Sequence, residues 1–187
     1  MNELIQLDTE LFLYLNGLGT PLWDPFWKAI AGTAIWIPLY AFLLFLLFKK
    51  LSLKSFGISV FCIALNVVFT DQGSVQLFKE RVQRLRPCHN EEIKDHVSEV
   101  EGCGGKYGFV SSHASNVFGL AMLINLLYGR KNKYMLTGLF VWASIVCYSR
   151  IYLGKHYPLD VLAGAGFGLF CGFLSFQIFK WLGGKYE

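Results

Sequence analysis

Apolar residues in this chain gather into long runs separated by shorter polar connections. Phe26 to Phe48, Leu53 to Thr70, Val117 to Tyr128, Tyr134 to Tyr148 and Val161 to Leu182 are each predominantly apolar, as helices crossing a hydrocarbon core of roughly 30 Å must be. The third is a full span only when Ser111 to Asn116 join it, so its polar first turn belongs at the interface or in the bundle interior. Ahead of these runs, Leu4, Leu7, Leu11 and Leu15 recur at helical spacing against Asn2, Glu3, Asp8 and Glu10, with Gly17, Gly19 and Pro21 following. That pattern predicts a short interfacial helix within residues 1–20, with a frayed polar tail as the alternative. No basic leader with a small-residue cleavage site is read there. The fold class is therefore all-α: an integral membrane helical bundle of about five transmembrane helices plus the interfacial helix, in a single domain over residues 1–187. The second run is expected to continue as helix from Asp71 through Leu85, since no proline intervenes before Pro87.

Composition agrees with a bilayer as solvent: 54% of the 187 residues are hydrophobic and 16% charged, with a mean hydropathy of +0.43. The net charge of +4 is not gathered into a stripe with interleaved aromatics, which argues against a nucleic-acid partner. Lys49, Lys50 and Lys54, then Arg130, Lys131 and Lys133, then Lys180 and Lys185 flank the runs at alternate ends. By the positive-inside rule those places are cytoplasmic. The amino terminus and the connections Lys79 to Ser112 and Ser149 to Pro158 then face the periplasm or cell exterior of an inner (plasma) membrane.

The one long non-spanning stretch is an outer loop over residues 87–110, where Gly102, Gly104, Gly105 and Gly108 suggest tight turns. Cys62, Cys147 and Cys171 lie within runs and read as small apolar packing residues. Cys88 and Cys103 flank the outer loop and are candidates for a disulfide in an oxidising compartment, although spacing alone does not bring two sulfurs together. His89 and His96 are too loosely arranged to argue a zinc site.

Polar residues at the outer ends of the runs supply the candidate chemistry. Lys79 and Arg86 are seven apart, so on one helix two cations point the same way, a compact charge beside a planar fork suited to phosphate oxygens. Taken alone they are equally snorkelling interfacial cations, as Arg81 and Arg84 are read to be. Ser111, Ser112 and His113 open the third span, where unpaired amides and the positive end of the helix dipole favour an anion. A simple helix cap is the plainer use of either serine. His156 and Asp160 are four apart, so on one helical turn the carboxylate accepts a hydrogen bond from one ring nitrogen and leaves the other free as a nucleophile. Arg150 precedes them across Gly154, and Pro158 suits the first turn of the last helix.

In order and spacing, Lys79 through Arg86-Pro87, then Ser111-x-His113, then Ser149-Arg150 through His156 and Asp160 resemble the type 2 phosphatidic acid phosphatase superfamily, over about Leu53 to the carboxyl terminus. The middle motif departs from the family's Pro-Ser-Gly-His, with Val110 and Ser112 at the Pro and Gly positions. The resemblance implies that His156 attacks phosphorus and becomes a phosphohistidine, oriented by Asp160, while His113 protonates the leaving oxygen. It implies that Lys79, Arg86, Arg150, Ser111 and Ser112 hold the remaining phosphate oxygens. No metal or other cofactor is called for, because three cations supply the charge and no carboxylate cluster is present. The expected partners are the membrane and a lipid phosphate within it, with undecaprenyl diphosphate first and phosphatidylglycerol phosphate, phosphatidic acid or lipid A as alternatives; no oligomeric state is specified. An anion-binding or anion-conducting membrane protein is the rival from another class, and a vanadate-dependent haloperoxidase is disfavoured by the spans.

Overall fold

The computed structural model describes residues 2–129 and 133–185, and every element longer than an isolated bridge among them is helical. Three helical runs are long and apolar enough to cross a membrane: Leu53–Val82, Lys133–Tyr152 and Pro158–Trp181. The first expected span is broken. Asp24–Ala31 (α2) and the run Ala34–Lys50 meet at 69°, with Gly32 in extended backbone between them and Pro38 in the first turn of Ile37–Lys50 (α3). Proline offers no amide to a preceding carbonyl, so the chain re-enters helix there rather than running through.

Ser112–Tyr128 (α6) is the hub. It packs against α3, Leu53–Gly73 (α4), Lys133–Tyr152 (α7) and Pro158–Trp181 (α8), and most of its residues are buried. A helix sheathed by protein carries a polar first turn without exposing it to lipid. Its most extensive contact is with α8, where Gly164, Gly168 and Gly172, one turn apart, face it. A Cβ at Gly164 would lie 2.5 Å from the Ser111 carbonyl oxygen, and at Gly168 and Gly172 it would strike the carbonyls of Ser115 and Gly119. Small residues at this spacing let two backbones touch where no hydrophobic force between helices is available. The Ser111 amide donates to the Asp160 carbonyl at 2.9 Å, which fixes the register of the two helix starts.

Asn2–Gly17 (α1) forms where the leucine spacing predicts, with its leucines outward and a separate stripe turned onto the bundle. Leu4, Leu7 and Leu11 are exposed, whereas Asp8, Phe12 and Asn16 are buried at 4%, 0% and 1%. The Asn16 side chain donates to the Ile151 and Tyr152 carbonyls and accepts from the Ser98 amide, so the stripe of Asp8, Phe12 and Asn16 docks on the protein while Glu3 and Glu10 stay exposed. Lys49, Lys50, Lys54, Lys133, Lys180 and Lys185 fall at the end of the bundle opposite the α6 start, as the direction of each helix requires; Arg130 and Lys131 lie outside the described residues. Cys62, Cys147 and Cys171 are buried free thiols. Gly168→Ala is expected to force α6 and α8 apart and to cost about 1–3 kcal/mol, read as a lower thermal unfolding midpoint in detergent. Gly166→Ala, which meets nothing within 4 Å, should leave that midpoint unlowered.

Candidate active site

The second run does not reach Arg86 as one helix. After α4 the backbone widens to π-helical turns over Ser74–Lys79, closes with one turn at Glu80–Val82 (α5), and stops at Gln83, whose φ of 52° is left-handed. Ser74 and Lys79 are five apart, about 140° around an α-helix. On turns wound i to i+5 they come to one face, and both reach Ser112 Oγ, Ser74 Oγ at 2.6 Å and Lys79 Nζ at 2.7 Å. Ser111 caps α6, its hydroxyl accepting from the Ala114 amide at 3.4 Å. The Ser112 and His113 amides have no intrahelical acceptor and point out of the helix start.

Arg86 is extended backbone, carried by the outer loop. Leu85 bridges Tyr107, the Arg86 amide donates to the Lys106 carbonyl at 3.1 Å, and the Gly108 amide donates to the Arg84 carbonyl at 2.9 Å. Arg86 Nη1 donates to the Cys103 carbonyl at 3.3 Å, and Cys103 is bonded to Cys88. Two far parts of the loop thus hold one guanidinium against the bundle. Gly108 marks the tightest point: a Cβ there would lie 2.9 Å from Asp160 Oδ2, 3.3 Å from Arg86 Cγ and 3.6 Å from His156 Nδ1.

Arg150 sits on the last turn of α7 rather than in the following connection, and His156 precedes α8 instead of sharing a helical turn with Asp160. Their separation corrects the expected contact, with His156 Nδ1 3.6 Å from Asp160 Oδ2, longer than a hydrogen bond. Asp160 is instead held by Arg84, whose Nη1 donates to Oδ1 at 2.8 Å, and by the Tyr157 amide, which donates to Oδ2 at 3.1 Å. Arg84 Nη2 donates to Asp8 Oδ2 at 2.6 Å, and its guanidinium lies 3.9 Å over the Tyr157 ring. Arg84 is therefore no snorkelling cation. Sequence reasoning missed it together with Asp8; the available signal was that Asp8, Phe12 and Asn16 form an i, i+4, i+8 stripe of their own.

Among the described residues Arg150 Nε is buried without a hydrogen-bond partner, a costly state that the oxygens of an anion can relieve, and His156 Nδ1 has no well-formed bond, with only the Gly108 backbone and Asp160 Oδ2 beside the ring. Burial first, then the charges of Arg86, Arg150 and Lys79, press the His156 pKa well below the ordinary imidazole value. The ring is thus neutral near pH 7, with Nδ1 toward Asp160. His113 lies within electrostatic reach of Arg150, His156 and Lys79. A cavity of about 410 Å³ is lined by His113, Asn116, Val117, Leu120 and Ile124 of α6, with Trp36, Tyr40, Leu43, Ile63 and Trp142 among the residues facing them. From His113 to Ile124 is about 16 Å along a helix, so the apolar space leads from the site into the depth of the bundle.

A neutral imidazole, a second histidine and clustered cations at the end of a membrane bundle are the groups that phosphoryl transfer calls for. Residues 55–183 match the family model described as the PAP2 superfamily. The chain is 41% identical to the lipid A 4′-phosphatase of Bacteroides thetaiotaomicron, over 94% of this chain and 78% of that protein. It is 35% identical to the lipid A 4′-phosphatase of Porphyromonas gingivalis, over 98% and 79%. The undecaprenyl-diphosphatase of Sulfolobus acidocaldarius is 33% identical over 77% and 63%. In fold, the chain superposes on the crystal structure of a transmembrane PAP2 type phosphatidylglycerolphosphate phosphatase from Bacillus subtilis with a TM-score of 0.71, at 18% identity, covering 96% of this chain and 88% of that one. The protein is an integral membrane lipid phosphatase, a phosphoric ester hydrolase. It belongs to the PAP2 superfamily, which sets aside the non-enzymatic rival.

Gly108→Ala is expected to wedge Asp160, Arg86 and His156 apart and to lower lipid phosphatase activity about 10- to 100-fold. Gly105→Ala, with nothing within 4 Å, is the matched control that should keep full activity in the same assay.

Proposed function

We propose that this phosphatase removes the 4′-phosphate of lipid A, through a covalent phosphohistidine on His156. Carrying this choice of substrate is the likeness to lipid A 4′-phosphatases over nearly the whole chain, which displaces undecaprenyl diphosphate from first place. Undecaprenyl diphosphate stays as the second reading because a shorter, more distant likeness favours it. A lipid suits the site in either case, since the apolar cavity beside His113 can hold hydrocarbon while the phosphate meets the cations.

In the first step His156 Nε2 attacks phosphorus and the ester P–O bond breaks, with the leaving oxygen taking its proton from His113. Charge builds on the non-bridging oxygens, where Lys79, Arg86, Arg150, the Ser112 hydroxyl and the free amides of the α6 start act most strongly. The positive charge that develops on His156 is opposed by Asp160, which a shift of a few tenths of an ångström brings into hydrogen-bond range of Nδ1. Water then attacks the phosphorus, His113 takes its proton, the P–N bond breaks, and inorganic phosphate and free His156 result. Ser112, at the family's glycine position, donates a hydroxyl already held by Lys79 and Ser74. We place this end of the bundle at the outer face of the inner membrane, a side supported by the lysines at the opposite end.

The test is phosphate release by the detergent-purified protein, with chelator present, from lipid A, undecaprenyl diphosphate, phosphatidic acid and phosphatidylglycerol phosphate. Lipid A should be turned over fastest, and His156→Ala or His113→Ala should each lower release about 10²- to 10⁴-fold. A preference for undecaprenyl diphosphate would reverse the substrate assignment, and full activity of His156→Ala would sink the phosphohistidine. The pH profile offers a further check. Because the neutral His156 ring persists as pH falls, kcat/KM should hold level past about pH 6.5 and decline only below it. Arg86→Gln removes one cation that depresses the ring, so its acidic limb should move to higher pH.

A further inference from the structure

The steps above use Asp160 but leave unexplained Arg84, which holds it, and Asp8, which holds Arg84. Asp8 Oδ2 accepts from Arg84 Nη2 at 2.6 Å, Arg84 Nη1 donates to Asp160 Oδ1 at 2.8 Å, and Asp160 Oδ2 faces His156 Nδ1 at 3.6 Å. Asp8 Oδ1 also accepts from the Leu159 amide at 2.8 Å, so its carboxylate caps the first turn of α8 one residue before Asp160. The side chains of Asp8 and Asp160 are 2% and 0% exposed. Phe12, one turn after Asp8, packs edge-on against the Tyr157 ring that lies under the Arg84 guanidinium. Asp8 lies well before residue 55, where the match to the family model begins.

Charge gives this arrangement its meaning. A guanidinium paired with Asp160 alone would fix the carboxylate but cancel the negative charge that His156 needs opposite it once the ring becomes cationic. A second carboxylate on the same guanidinium restores one net negative charge to the group. Two separate guanidinium nitrogens serve the two carboxylates, so Arg84 takes Asp160 Oδ1 while Oδ2, which also accepts from the Tyr157 amide at 3.1 Å, is the oxygen that faces the ring. We propose that Asp8 and Arg84 are positioning residues for the reaction: Arg84 turns one oxygen of Asp160 toward His156, and Asp8 returns to that carboxylate the charge that Arg84 would otherwise neutralise. The helix that precedes the family-matched region thus completes the site.

The proposal rests on His156 as nucleophile, and its test separates the two. Using the full chain in detergent, kcat and KM are measured on a lipid phosphate that the wild type hydrolyses, for Asp8→Asn, Arg84→Lys, Arg84→Met, Asn16→Ala and His156→Ala. Asp8→Asn keeps its shape and an acceptor for the Leu159 amide, and should lower kcat about tenfold or more with KM little changed. Arg84→Lys should recover part of the activity that Arg84→Met loses, and Asp8→Asn combined with Arg84→Met should be no worse than Arg84→Met alone, as for groups acting as one unit. Asn16→Ala cuts the polar docking contacts that α1 makes to Ser98, Ile151 and Tyr152 and should lower the unfolding midpoint while sparing kcat. Wild-type kcat in Asp8→Asn beside an inactive His156→Ala would overturn the proposal alone. An equal loss of kcat in Asn16→Ala would also overturn it, since docking of α1 would then be the whole effect. Activity in His156→Ala would remove the nucleophile and the proposal with it.

Discussion

Everything at the site hangs on the backbone contact between α6 and α8. Gly164, Gly168 and Gly172 remove the side chains that would hold the helices apart, and α6 carbonyls fill the space. The consequence is positional rather than merely stabilising. With the Ser111 amide on the Asp160 carbonyl, the anion-favouring start of one helix and the carboxylate-bearing start of the other are set side by side. Neither Ser112 nor Asp160 could be placed by its own helix alone, because each helix end would otherwise slide along its neighbour.

Around that fixed pair the protein gathers more charge than a bilayer rim tolerates without compensation. Lys79, Arg86 and Arg150 converge from three elements, and burial depresses the pKa of Arg86, a sign of how poorly the cations are solvated. Each is held by a different device: a widened helical turn for Lys79, a disulfide-tied loop for Arg86, and the last turn of α7 for Arg150. Burial first, and then the same field, keep His156 neutral, so the groups suited to gripping an anion help to leave a nearby ring nitrogen with its lone pair available.

The helical character of the bundle, the interior place of the polar α6 start and the family were legible in the sequence, because apolar runs and motif spacing are local quantities. Three things were not. The docking of α1 was not read: its leucines face outward, as an interfacial helix requires, but nothing in their spacing says that Asp8 and Asn16 turn inward onto the bundle. Arg84 was set aside as a surface cation, since its two carboxylate partners stand 76 residues away on either side. Lys79 and Arg86 were placed on one helix by counting, and the π-helical turns and the left-handed Gln83 that separate them leave no mark in apolar periodicity. The lipid itself is a matter of cavity shape and headgroup contacts, to which motif spacing is blind.

The docking of α1 has a consequence for the order in which the molecule is made. Asp8 and Asn16 leave the ribosome well ahead of their partners, which come from Arg84, Ser98, Ile151, Tyr152 and Leu159, the last 151 residues after Asp8. α1 must therefore wait, its leucines in the interface, until the start of α8 has been made. Only then does Asp8 have both the arginine and the helix start it fits, so α1 locks after the elements it docks on. A chain interrupted in synthesis carries the cations and the first histidine but no closed arrangement of them.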